Sequence, residues 1–135
     1  GATGTHFVNP HGLHDENRYT TTYDLYLMFN EALKDQAFLD IISMNSYTAK
    51  VTSADGTSYT PTWQATNYYS AGEATPPDGI HVYGGKTGTT DQAGNCVILY
   101  EKNTAGEPYI SVIMGASDKP LLYEEMNELL DAGMK

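Results

Sequence analysis

The sequence predicts an α+β domain, an antiparallel sheet meander with helices packed on it. Three observations carry that expectation: apolar residues repeat with a helical period near both ends of the chain, strand-like stretches of period two lie between them, and the turns joining the last three stretches are too short for parallel crossovers. The opening stretch, Gly1 to Tyr19, is rich in Gly, Asn, Pro and His, carries the turn signal Asn9-Pro10-His11-Gly12 and holds no sustained period, so an ordered loop is expected. Thr21-Thr22-Tyr23-Asp24 then sets a hydroxyl three residues before an acid, the pattern of a capping box that satisfies free N–H groups at a helix start. Leu25, Met28, Phe29, Ala32 and Leu33 follow on one stripe of a 3.6-residue repeat, which marks a core-facing helix. A shorter helix, about Gln36 to Ile42, is expected to pack Phe38, Leu39 and Ile42 beside it.

From Ser46 the period becomes two. Tyr47, Ala49 and Val51 alternate with Thr48, Lys50 and Thr52, and Asp55-Gly56 marks a tight reversal before Ser58 to Trp63, which predicts a hairpin. Thr66 to Gly79, with Asn67, Gly72, Pro76 and Pro77, reads as a wandering connection. The meander is expected at about Ile80 to Thr87, Asn95 to Lys102 and Tyr109 to Gly115. Pro120 lies near a last helix start, Leu122, Met126, Leu129 and Leu130 form its stripe, and Gly133 is its expected stop, so this helix should cross one face of the meander.

The 135 residues are one domain's worth of chain, and a 40% hydrophobic share suffices for a modest core. Acidic residues outnumber basic ones by 17 to 7, and a net charge of −10 repels a phosphate backbone, so no nucleic-acid partner is expected. Cys96-Val97-Ile98-Leu99-Tyr100 is as long as any unbroken apolar run, far short of the roughly 20 residues of a membrane-spanning helix. The chain has no initiator Met and no basic-then-apolar leader, so Gly1 reads as a cut end with any targeting signal outside view. The single Cys96 excludes an internal disulfide and, inside its apolar run, reads as a buried structural thiol.

The stretch that can carry chemistry is Gly84-Gly85-Lys86-Thr87-Gly88-Thr89-Thr90. A bare Lys-Thr-Gly arises by chance in roughly 7 of 100 shuffles of a chain this rich in Thr and Gly. Its setting says more: the tripeptide lies at the end of an expected strand, in a window from Gly79 to Thr90 that holds no acid. Glycines inside a strand mark a place where another backbone comes close. A lysine and three threonine hydroxyls on such a strand make a seat for an anion, a carboxylate above all. The competing reading is a solvated strand lysine beside a glycine bulge.

His6, His11, His14, Asp15 and Glu16 form a second group, but their spacings lack the His-x-x-x-His step that sets two ligands on one helical face, and no metal is expected. His81, alternating with Ile80 and Val82, reads as a satisfied structural histidine. The 11 tyrosines, dispersed from Tyr19 to Tyr123, read as strand faces and packing surface.

Taken in order, Thr5-His6-Phe7-Val8-Asn9-Pro10-His11-Gly12-Leu13-His14, Tyr19-Thr20-Thr21-Thr22-Tyr23-Asp24-Leu25, and Gly84 to Thr90 with Ala93-Gly94-Asn95-Cys96 resemble the low-molecular-mass penicillin-binding proteins, the serine-type D-alanyl-D-alanine carboxypeptidases. The resemblance runs from about Thr3 to Leu130. It implies a hydrolase of peptidoglycan biosynthesis on a β-lactamase/transpeptidase-like fold, with an acyl-transfer site built from Ser-x-x-Lys, Ser-x-Asn and Lys-Thr-Gly. Only the third motif stands in its place. No Ser-x-x-Lys occurs, and Ser43-Met44-Asn45 spells Ser-x-Asn but follows the Asn-Pro-His-Gly-Leu loop, whereas the family sets that motif ahead of it. Residues 1–135 are therefore expected to be the C-terminal part of a catalytic domain, lacking its N-terminal portion and with it the nucleophile and its base.

By the same resemblance, the catalytic group here is Lys86, Thr87, Gly88 and Thr89, and Gly85, Thr87, Thr89 and His11 face the substrate. Thr87 and Thr89 hydroxyls would hold the terminal carboxylate of a stem peptide ending in D-Ala-D-Ala, and the Thr89 N–H would donate to the oxyanion. Lys86 would add positive potential. Gly84, Gly85 and Gly88 would let the peptide lie along the strand edge. The resemblance implies no cofactor, β-lactams as ligands of the intact parent, an extracytoplasmic cell-surface or membrane-associated location, and self-association of a truncated half through its uncovered strand edge and apolar surface. The alternative is a non-catalytic cell-surface interaction module that keeps the scaffold. Upstream sequence separates the two.

Overall fold

The computed structural model describes residues 1–133. Its elements follow the expected order. Helix α1 (Thr22–Ala32) leads to α2 (Gln36–Ile42), a split hairpin of β1 (Ser46–Thr48), β2 (Val51–Thr52), β3 (Ser58–Tyr59) and β4 (Thr62–Gln64), a short α3 (Tyr68–Ala71), the strands β5 (Ile80–Thr90), β6 (Gly94–Asn103) and β7 (Pro108–Ala116), and α4 (Lys119–Gly133). The last three strands form one antiparallel sheet in the order β5-β6-β7, the meander the turns require.

Thr21 caps α1 as expected, its side chain accepting the Asp24 N–H. The Asp24 carboxylate does not close the box. It is buried and turns back to the N-terminal segment, where Oδ2 accepts the Gly4 N–H at 2.8 Å and the Thr5 hydroxyl at 2.6 Å. Of the expected stripe only Phe29 is fully buried, in an edge-to-face contact with Phe38 that joins α1 to α2. The hairpin reverses at Gly56, whose φ of +87° suits glycine. Its ladder is broken midway, where Pro61 has no N–H to give, so β1 pairs with β4 and β2 with β3 as separate short pieces.

Two expectations need correction. The connection from Thr66 to Gly79 contains α3, a single turn capped by the Asn67 side chain. Four residues are too few to show a period, but Tyr68 and Tyr69 of this turn clasp Tyr123 of α4: Tyr68 stacks on it at 4.5 Å, Tyr69 meets it edge-on, and the Tyr123 hydroxyl accepts the Tyr68 N–H at 2.9 Å. In α4 the buried stripe is Leu122, Tyr123, Met126 and Leu130, while Leu129 stays exposed. Leu129 overhangs the free edge of β7 and lines a groove there with Ile110 and Ser111.

The core lies between α4 and one face of the sheet, where Val97, Leu99 and Ala116 meet Leu122, Tyr123, Met126 and Leu130. One acid is sealed beside it. Glu101 of β6 has no exposed surface, accepts the Ser111 hydroxyl at 2.5 Å on Oε1, and leaves Oε2 without a partner among the described residues. Burial pushes its pKa from the ordinary 4.5 up to about 7. The folded state thus prefers the protonated acid, and stability is fully present below about pH 4.5 and falls as pH rises through 7. The loss across that window is about 3 kcal/mol at 1.36 kcal/mol per unit. Thermal unfolding from pH 4.5 to 7.5 is expected to show this decline and Glu101→Gln to flatten it; a variant as pH-sensitive as the parent would place the titration elsewhere.

Candidate anion-binding strand

Strand β5 runs to Thr90, three residues past its expected end, so Lys86-Thr87-Gly88 sits inside the ladder: Lys86 pairs with Ile98, Thr87 with Val97 and Gly88 with Cys96. A register shift between Val82 and Gly84 accommodates Tyr83. The glycines do mark close backbone approach, and the approaching backbone is this chain's own. A β-carbon on Gly84 would sit 2.0 Å from the Ile42 carbonyl oxygen at the end of α2, and one on Gly85 2.1 Å from the Ile98 carbonyl oxygen. Gly88 differs, with nothing within 4 Å of its missing β-carbon.

Alternation along β5 divides the motif between two faces. Lys86 is exposed on the α2 side, its ammonium donates to the Thr87 carbonyl, and it lines a cavity of about 210 Å³ with Ile42, Thr66, Asn67 and Ser70. Thr87 and Thr89 line a cavity of about 160 Å³ on the α4 side, together with Thr66, Asn95, Cys96 and Lys119. The Thr66 and Thr87 hydroxyls are 2.6 Å apart. With Thr66 donating, the Thr87 proton is left to point into the cavity. The Thr89 hydroxyl donates to Asn95 Oδ1 at 3.2 Å, and the Asn95 amide is fixed in turn by donating to the Ala116 carbonyl.

Lys119 is the site residue that sequence reasoning missed. It opens α4, and its ammonium lies 5.5 Å from the centre of the Tyr68 ring. A signal was available: a lysine in the first turn of a helix opposes the helix dipole, so its position asks for another cause. Cys96 is also not the buried thiol expected; it is half-buried and lines the cavities on both sides of Thr89.

The N-terminal loop flanks the far end of the motif. Gly12, His14, Asp15 and Arg18 line a cavity of about 210 Å³ with Gly88, Thr89 and Thr90. The Asn9 side chain holds the turn, Oδ1 accepting the Gly12 N–H at 3.1 Å and Nδ2 donating to the Leu13 carbonyl, and Gly12 takes a φ of +82°. His11 is exposed and its Nδ1 accepts the Leu13 N–H, while its neighbours Gly12 and His14 are the residues in the cavity wall. His81 is exposed and meets the Tyr83 ring edge-on, so it is a surface residue and not a core one. Among the described residues no group of three His, Cys, Asp or Glu side chains is placed to hold a metal ion.

A family model described as D-alanyl-D-alanine carboxypeptidase matches residues 1–118. The chain is 25% identical over 134 residues to a curated D-alanyl-D-alanine carboxypeptidase from Streptomyces sp., covering 98% of this chain and 44% of that protein. Among solved structures, a mutant of a Streptomyces DD-transpeptidase superposes with a TM-score of 0.82 at 25% identity, over 96% of this chain and 47% of the other. A D-alanyl-D-alanine carboxypeptidase from Mycobacterium tuberculosis gives 0.75 at 23% identity, over 98% and 47%. The chain spans less than half the length of each of these relatives.

Proposed function

The chain belongs to the D-alanyl-D-alanine carboxypeptidase family, and from that premise we propose that residues 1–135 are the C-terminal part of its catalytic domain and form the substrate-binding wall of a serine-type acyl-transfer site. The observation that carries this reading is the strand itself. In a chain of net charge −10, the segment from Gly79 to Thr90 holds no acid, and two lysines, Lys86 and Lys119, flank the Thr87 and Thr89 hydroxyls on its two faces. That arrangement suits the terminal carboxylate of a peptide ending in D-Ala-D-Ala.

In this reading the peptide lies along the edge of β5 next to Gly85 and Gly88. Thr87 and Thr89 hold its carboxylate, Lys86 lends positive potential, the Thr89 N–H donates to the oxyanion, and His11 keeps the loop in shape beside the substrate. An oxyanion donor contributes on the order of 3 kcal/mol to the transition state. The chain contains no Ser-x-x-Lys, so the attacking serine and its lysine belong to the rest of the parent protein. A β-lactam occupies the same wall as a mimic of the acyl donor, and the parent works outside the cytoplasm, where peptidoglycan is. The free edge of β7 and the exposed Leu129 are surfaces through which the separated half pairs with a second copy.

The full-length parent is expected to release D-alanine from a D-Ala-D-Ala peptide and to be labelled by a fluorescent penicillin. The 135-residue chain alone is expected to remain unlabelled. Stoichiometric labelling of the isolated chain would show a nucleophile within it, and a parent that neither labels nor releases D-alanine would favour a non-catalytic interaction module.

A further inference from the structure

The end of α2 and the β1–β4 piece of the hairpin border a groove of about 660 Å³, within the roughly 300–1,000 Å³ of small-molecule sites. Tyr47 and Trp63, a cross-strand pair, lie near-parallel in its wall with ring centres 6.4 Å apart at 15°, and each is more than half exposed. Cross-strand pairing explains why the two rings touch each other. It does not explain Ile41 and Met44, which reach the same groove from α2 and the residues after it; Ile41 is exposed and lies off the stripe of Phe38, Leu39 and Ile42. None of the lining residues is charged, in a chain of net charge −10. The polar groups of the wall are uncommitted: the Ser46 and Tyr47 hydroxyls and the Gln64 amide hold no hydrogen bond among the described residues.

Such a wall fits an uncharged ligand with a flat apolar face and hydroxyl or amide groups on its rim. A pyranose ring has that shape: its axial C–H bonds form a face that lies on an aromatic ring, and its equatorial substituents point outward to amides and hydroxyls. A carboxylate or ammonium ligand would find no counter-charge in the wall, and an anionic lipid surface would meet a protein of its own sign. The surface assigned above to a second copy lies at the other edge of the sheet, at β7. The groove also runs into the cavity lined by Lys86, since Ile41, Met44 and Gln64 belong to both walls. On the function proposed above, on which the identity of the sugar rests, the peptide that reaches Lys86 is carried on a strand of acetamido sugars. We propose that the groove between α2 and the hairpin is a carbohydrate-binding site that holds an acetamido sugar of that strand, with Trp63 and Tyr47 as the stacking platform and Gln64 as the hydrogen-bonding partner of the acetamido group.

The test titrates the full-length parent calorimetrically with a peptide-free β-1,4-linked tetramer of N-acetylglucosamine and, in parallel, follows D-alanine release from a sugar-free D-Ala-D-Ala peptide. The tetramer is expected to bind, and Trp63→Ala to weaken it by about 10-fold or more, the scale of one lost aromatic contact. Trp63→Tyr, which keeps a ring in the hairpin, should stay within about threefold of the parent. Release of D-alanine from the free peptide should be the same in all three proteins, which shows that the variants are folded. No binding of the tetramer by the unmodified parent overturns the proposal without any variant, and so does equal affinity in Trp63→Ala. Dimerisation that Trp63→Ala abolishes, with no sugar bound, gives the groove to a second copy and overturns it too. A parent that cleaves the free peptide and ignores the tetramer loses the groove and keeps the carboxypeptidase reading; one that binds the tetramer and releases no D-alanine keeps the groove and loses that reading.

Discussion

Lys86→Ala in the full-length protein is expected to slow acylation by penicillin about 100-fold, the scale of a charge-assisted contact made at the reacting end of the ligand. Stability should stay within about 0.5 kcal/mol of the parent, since Lys86 is exposed and its ammonium reaches only the carbonyl of the next residue. Acylation followed by stopped flow, with unfolding by denaturant in parallel, separates the two quantities. An unchanged acylation rate removes Lys86 from the site. The prediction depends on where the lysine stands: β5 continues through Thr90, so the lysine is held by ladder bonds on both sides along the chain and presents its charge without a loop to fix it.

Gly84→Ala is expected to cost at least about 3 kcal/mol, at the upper end of ordinary overpacking. The added methyl would lie 2.0 Å from the Ile42 carbonyl oxygen and 2.6 Å from its carbon, so it meets backbone that no rotamer change can move. Gly88→Ala is the matched control. Its β-carbon enters open space at an ordinary φ, and its effect on stability should lie within about 0.5 kcal/mol. Denaturant midpoints of the two variants that coincide would mean that α2 is not seated on the strand as described. A large difference would show that the glycine before Lys86 fixes the approach of α2 and that the glycine after Thr87 serves something else, the role assigned to it here being to let a peptide lie close.

Where local chemistry decides the structure, the sequence was legible. Thr21 and Asp24 announce the start of α1, and Asp55-Gly56 announces the hairpin reversal. The short turns before Gly94 and Pro108 force an antiparallel meander. The membership of the family was legible as well, because Asn9 to Leu13 and Lys86 to Gly88 occur in one order on one chain.

Legibility failed where a partner from far along the chain decides. Asp24 looks like a capping acid, and only the fold brings Gly4 and Thr5 to it. Leu129 has the right period to be buried, but it lies over an open groove beside β7, the last strand of a three-stranded sheet, and stays exposed. Lys119 and Thr66 are 53 positions apart, and only α3, too short to leave a pattern, sets the segment after Thr66 against α4.

The Tyr68 ring has Tyr123 stacked on it and the Lys119 ammonium within cation–π distance, with Thr66 two residues earlier in the chain. The final helix is thus more than a cover for the apolar interior. It places the Lys119 ammonium in the wall of the threonine cavity, beside the Tyr68 ring that stacks on Tyr123 of the same helix. Met126 of the same helix is fully buried, so loosening it is expected to cost about 2 to 5 kcal/mol of stability and, on the function proposed above, to shift the ammonium that an acidic ligand would meet.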